Sequence, residues 1–142
     1  MLKNDHPISE SLARQYSPLT LAYLGDGVYE LLVRETLVLQ ENRPNGQLHR
    51  QALKFVSATA QSTGLEGILP LLTEKEEAMF KRGRNSDAVG HRNSDIIQYK
   101  RATGLETLFG YLYLIGNTER LEELFQIIYQ TLCNESNSNT DS

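Results

Sequence analysis

The ten residues Leu21 to Glu30, LAYLGDGVYE, place one carboxylate, Asp26, between two glycines inside an otherwise apolar, helix-forming run. Each glycine in a helix interior costs about 1 kcal/mol relative to alanine. An aspartate turned toward a core without a partner costs more. Chains carry such conflicts where a backbone or ligand must come close, or where a charge has a task. A second conflict lies at Gly104 to Tyr113, GLETLFGYLY, where Glu106 precedes another apolar run. The expectation is that the fold brings Asp26 and Glu106 together, although each taken singly would also serve as a surface or capping carboxylate.

Around these two stretches the chain reads as helices. Ser17-Pro18 is a helix start, with serine as cap and proline at the first helical position. The helix is expected to run to about Gln40, with Leu21, Leu24, Val28, Leu31, Leu32 and Glu35 on its buried stripe. The turn formers of Glu41 to Gly46 end it. A second helix is expected from about Gln47 to Ser62, closed by Thr63 and a left-handed Gly64. A short helix over Leu65 to Leu69 precedes Pro70. Thr73 and Glu76 form a capping box that opens a helix to about Arg82. Gly83 to Asn93, GRNSDAVGHRN, reads as a loop. Helix resumes near Ser94-Asp95 toward Ile115, with a break allowed at Thr103-Gly104. A last helix follows from Glu119 to about Leu132, burying Leu121, Leu124, Phe125 and Ile128. No segment alternates as a strand does, so the fold class is all-α. The expected division is an N-terminal extension over 1–16, one domain over 17–133 and a polar, disordered tail over 134–142.

With 142 residues and 39% hydrophobic content, the chain suits one domain with one core. A run of 18 apolar residues is absent, and the start, MLKNDHPISE, lacks the apolar centre of a signal peptide. The single cysteine, Cys133, excludes an internal disulfide, and the three histidines are scattered. A cytoplasmic location is the expectation, with no membrane partner. The net charge is −4, yet Lys81, Arg82, Arg84, Arg92, Lys100 and Arg101 fall within 21 residues beside only Asp87 and Asp95. A basic segment on an acidic protein fits a phosphate-binding surface next to a carboxylate-rich site, and also fits a plain solvated face. Within it Arg82, Arg84, His91 and Arg92 are the candidate phosphate contacts, because a planar guanidinium donates two parallel hydrogen bonds. Gly83 and Gly90 either admit a ligand to the backbone or serve ordinary turns. Glu30 shares a helix face with Asp26, and pairs equally well with Arg34 four residues on. Thr103 sits three before Glu106, where a hydroxyl is a weaker partner for a hard cation than a carboxylate.

The two acidic stretches also resemble a known family. LAYLGDGVYE is similar to the ribonuclease III signature LEFLGDAVLE, and GLETLFGYLY to its second acidic motif, DxxEALIGAIY. The resemblance covers roughly Ser17 to Phe125. Length and the KRGRNSD segment point to the bacterial branch that is a catalytic domain without a double-stranded-RNA-binding domain. It implies an all-helical endonuclease domain working as a homodimer, with the Asp26 helix at the interface and duplex RNA lying across both subunits. It further implies Mg²⁺-dependent cutting, with Mn²⁺ as a substitute, at Asp26 and Glu106. The products carry 5′-phosphate and 3′-hydroxyl ends. The implied substrate is the 23S ribosomal RNA precursor, with ribosomal protein L3 as helper. Two of the family's acidic positions fall here on Ala22 and Thr103. Fewer carboxylates imply weaker Mg²⁺ binding until RNA phosphates complete the coordination. Glu30 and Thr103 are the candidates for supporting positions around the metal. The competing reading is a non-catalytic, dimeric RNA-binding or ribosome-assembly factor on the same fold.

Overall fold

The computed structural model describes residues 2–86 and 94–140, without the side chains of Ser94 and residues 137–140. Among them every regular element is helical, as the absence of strand alternation implies. Seven α-helices occur: α1 Glu10–Ala13, α2 Pro18–Gln40, α3 Asn45–Val56, α4 Ala58–Leu65, α5 Glu74–Arg84, α6 Ser94–Leu114 and α7 Thr118–Thr140. A single 3₁₀ turn, Leu69–Leu71, takes the place of the short helix expected before Pro70.

The two predicted helix starts form as expected. Ser17 Oγ accepts from the Thr20 amide. Thr73 and Glu76 make the reciprocal capping box, with bonds of 3.2 and 2.9 Å. The carboxylate of Glu76 also takes a two-pronged bond from Arg120, which holds it below the usual carboxylate range against the cost of burial. That pair ties the start of α5 to α7. Helix α6 is the central element, packed by α2, α5 and α4, and it runs unbroken through Thr103-Gly104. Tyr29, Phe109 and Phe125 meet at the middle of the core, with ring centroids 5.7 and 5.8 Å apart. All four residues expected to be buried on α7 are buried.

Four local expectations are corrected. The chain breaks at Ser57, which is extended at φ −63°, ψ 155° and caps α4 through its hydroxyl to the Ala60 amide. Gly64 therefore lies inside α4 rather than in a left-handed cap, and a Cβ there would come 2.6 Å from Ile128 Cγ2. On α2, Leu31 and Glu35 face outward, and the buried set includes Ala22, Gly25, Tyr29, Val33 and Leu37 instead. Helix α7 continues to Thr140, eight residues beyond the expected end, because its Asn- and Ser-rich last turns hold neither glycine nor proline to stop them.

Residues 2–16 are anchored along the molecule. The Ile8 amide donates to Leu114 O at 2.8 Å, and Asn4 Nδ2 to Tyr113 O at 2.7 Å. Pro7 lies against Gly116, whose φ of +79° is the one positive glycine value among the described residues and makes the α6–α7 turn.

Candidate active site

Helices α2 and α6 cross with almost no space between their backbones. A Cβ on Gly25 would fall 1.7 Å from Glu106 O, and one on Gly110 2.0 Å from Leu21 O. Only glycine permits this approach, which answers the first oddity of the sequence. Because residue 25 touches the backbone of residue 106, the next side chain on α2, Asp26, reaches the side chain of Glu106. The Asp26 carboxyl is near enough to perturb that of Glu106. Gly27 differs, since a Cβ there would meet nothing within 4 Å.

Asp26 lies on the exposed side of this pair and Glu106 is half-buried. Burial, then the hydrogen bond and negative charge of Asp26, push the Glu106 carboxyl up to about 8, with Glu30 adding to the rise. A bond from Gln61 acts in the opposite direction, and among the described residues Glu106 has no ion-pair partner. Two acids so placed repel each other when both are ionised, and a cation between them removes the repulsion. Their hard oxygen donors suit Mg²⁺ or Mn²⁺. Among the described residues no group of three or more His, Cys, Asp or Glu is placed to hold a metal.

Glu30 is half-exposed and pairs with Arg34 at 3.7 Å, the alternative its spacing allowed. Thr103 is buried, and its hydroxyl donates back to Tyr99 O at 3.0 Å. Gln61 carries no signal in the sequence beyond being a long polar residue among small ones in ATAQSTG. In the structure it is 3% exposed, and its Nε2 donates to Val56 O at 3.0 Å and to Glu106 Oε2 at 3.4 Å.

The basic segment divides. Arg82 spends its guanidinium on the main chain, donating to Arg14 O at 3.1 Å and Tyr16 O at 3.0 Å. It thereby ties the chain after α1 to α5. Arg84 lies over the Phe80 ring, 5.6 Å from its centroid, and donates to Asn85 Oδ1 at 3.1 Å. Gly83 belongs to α5 and to the α5–α6 contact, since a Cβ there would lie 2.2 Å from Thr107 Oγ1. His91, Arg92 and Gly90 lie outside the described residues. No described helix is long and apolar enough to cross a membrane.

The Ribonuclease III domain family matches residues 19–117, which hold both acidic helices. Mini-ribonuclease 3 of Symbiobacterium thermophilum is 48% identical over 110 residues, 77% of this chain and 85% of the relative. Mini-ribonuclease 3 of Clostridium tetani is 42% identical over 129 residues, 89% of this chain and 84% of the relative. A crystal structure of a Fusobacterium nucleatum protein superposes with a TM-score of 0.74 at 32% identity, covering 82% of this chain and 94% of that one. With the acidic pair carried at a glycine-lined helix crossing inside the matched region, the chain belongs to the ribonuclease III family, in its Mini-ribonuclease 3 group.

Proposed function

We propose that this nuclease is a divalent-cation-dependent endonuclease of double-stranded RNA, with Asp26 and Glu106 as the metal-binding carboxylates. The observation that carries the reading is the closeness of these two acids at the α2–α6 crossing. Mg²⁺, or Mn²⁺ in its place, supplies Lewis acidity at the scissile phosphate when bound. Asp26 and Glu106 hold it by charge, and the rigid helix crossing fixes their separation before RNA arrives. Ala22 and Thr103 leave the set at two acids, so water and RNA phosphates complete the coordination. Thr103, its hydroxyl proton committed to Tyr99, and Glu30 have supporting positions. Recognition falls on duplex shape, phosphates and 2′-hydroxyls, since the deep A-form major groove admits no side chains.

The products carry 5′-phosphate and 3′-hydroxyl ends, and the cellular substrate is the 23S ribosomal RNA precursor in the cytoplasm, with ribosomal protein L3 shaping it. Support comes from the similarity to curated Mini-ribonuclease 3 proteins and from the motifs themselves. The chain works as a homodimer through the outer side of α2, where Tyr23 is 85% and Leu31 50% exposed around the bare Gly27. The second reading, a non-catalytic RNA-binding or ribosome-assembly factor, draws on the small donor set of two acids. Incubating the protein with long duplex RNA in Mg²⁺, Mn²⁺ or EDTA, and mapping the product ends, separates the two. Metal-dependent cutting with those ends is expected. Tight binding at low salt with no cutting in either metal would favour the second reading.

Arg84, with His91 and Arg92 and any free donor of Arg82, contacts RNA phosphates. Arg84→Ala is expected to raise KM for duplex RNA several-fold and to lower the salt slope of binding by about one. The affinity of the RNA-free protein for Mn²⁺ stays unchanged. An unchanged KM and salt slope would remove Arg84 from the contact surface.

A further inference from the structure

We propose that Gln61 is the positioning residue of the metal site, holding the Glu106 carboxylate in place through an amide bond that α4 fixes from outside. The proposal rests on the metal-dependent reading above.

The orientation of the amide is determined by its partners. Gln61 Nε2 lies 3.0 Å from the Val56 carbonyl, which can only accept, so the nitrogen rather than the oxygen must face that point. The same nitrogen lies 3.4 Å from Glu106 Oε2. Its second hydrogen is therefore directed at a carboxylate oxygen and cannot be exchanged for an acceptor. One side chain thus connects the end of α3, the first turns of α4 and the acid on α6.

Helix α4 is itself held against α6 on both sides of Gln61. Thr59 Oγ1 donates to Gln98 Oε1 at 2.9 Å. Arg101 donates to Ser62 Oγ at 2.8 Å and to Ser62 O at 3.0 Å, and also pairs with Glu66. The amide consequently sits in a rigid frame, which is what a group that orients a ligand requires.

The arrangement carries a cost that packing alone does not justify. Gln61 Oε1 is buried and has no protein hydrogen-bond partner among the described residues. A buried acceptor without a protein partner is unfavourable, and a hydrocarbon side chain of the same size would avoid that. Retaining an amide there fits a residue whose donor end is needed at Glu106.

Gln61→Met keeps the volume and removes the donor, and Gln61→Leu is a second apolar replacement. Mn²⁺ affinity of the RNA-free protein, read by electron paramagnetic resonance of free Mn²⁺, is measured beside kcat, KM and the thermal midpoint. Both variants are expected to bind Mn²⁺ about tenfold or more weakly and to lose kcat to a similar extent. KM for duplex RNA should stay level and the thermal midpoint should move by only a few degrees. A folded variant with unchanged Mn²⁺ affinity and kcat overturns the proposal. So does a loss of affinity that appears only where the midpoint has collapsed in both variants, since Gln61 would then be a structural polar group. If the wild type neither binds Mn²⁺ nor cuts duplex RNA, the metal-dependent reading itself has failed, and the wild-type control shows that separately.

Discussion

Glu106→Gln is expected to abolish cleavage and at the same time to stabilise the metal-free protein at alkaline pH. The two effects have one cause. The wild-type carboxyl is pushed up to about 8 by burial and by Asp26, against an ordinary 4.5. A folded-state value above the unfolded one means that its contribution to stability is complete below about pH 4.5. It is lost as pH rises through 8. Above that range the metal-free fold carries two adjacent charges that the unfolded chain keeps apart. An amide at 106 carries none, and it can donate to Asp26 while accepting from Gln61. Thermal melts in EDTA are expected to coincide near pH 4.5 and to separate as pH rises. By pH 8.5 the variant should be about 5 °C higher, as a difference of 1–2 kcal/mol gives for a chain of this size. Mg²⁺ should raise the wild-type midpoint and leave the variant unmoved. Equal midpoints at all pH values would contradict the close pairing of the two acids.

Gly25→Ala is expected to be the most damaging glycine-to-alanine change among the described residues. Its Cβ would lie 1.7 Å from Glu106 O, 2.7 Å from Glu106 C and 2.8 Å from Gly110 N, all backbone atoms. A rotamer change cannot relieve such a clash, so α2 and α6 must separate. That cost exceeds about 3 kcal/mol and should appear as insoluble protein or a midpoint lowered by 10 °C or more. Gly27→Ala is the control two residues away. With nothing within 4 Å, it gains helix propensity and should leave the isolated fold intact or slightly more stable. A Gly25→Ala protein that melts with the wild type would show that the helices do not cross as described.

The same contrast shows what the sequence could and could not convey. LGDG marks two glycines as exceptional, but only the crossing reveals that Gly25 admits a backbone while Gly27 faces open space. Local signals with local causes were legible: the Ser17-Pro18 start, the Thr73 capping box and the apolar stripe of α7. The break at Ser57 was not, because the side chains that support it, Tyr29 on α2 and Gln61 on α4, carry no mark of that role in the sequence. Tyr29 donates its hydroxyl to Phe55 O at 2.6 Å and Gln61 its amide to Val56 O, so carbonyls freed at the end of α3 find side chains instead of helix amides. Gly64 likewise takes its meaning from Ile128, a residue of the last helix. At the site, the acids could be paired from their motifs. The support from Gln61 could not, since a glutamine in ATAQSTG shows nothing of what lies across α6. Arg82 read as a candidate phosphate contact because the carbonyls of Arg14 and Tyr16 that it binds are some seventy residues away.

The most direct test of the central claim is single-turnover cleavage of long double-stranded RNA by the wild type and by Asp26→Asn, each in Mg²⁺ and in EDTA. Duplex binding at low salt and the thermal midpoint are measured on the same samples. The account predicts cutting by the wild type in Mg²⁺ alone. It predicts at least ~100-fold slower cutting by a variant that folds and still binds RNA. Wild-type rates from folded Asp26→Asn in Mg²⁺, or undiminished wild-type cutting in EDTA, would contradict a metal site built on Asp26 and Glu106.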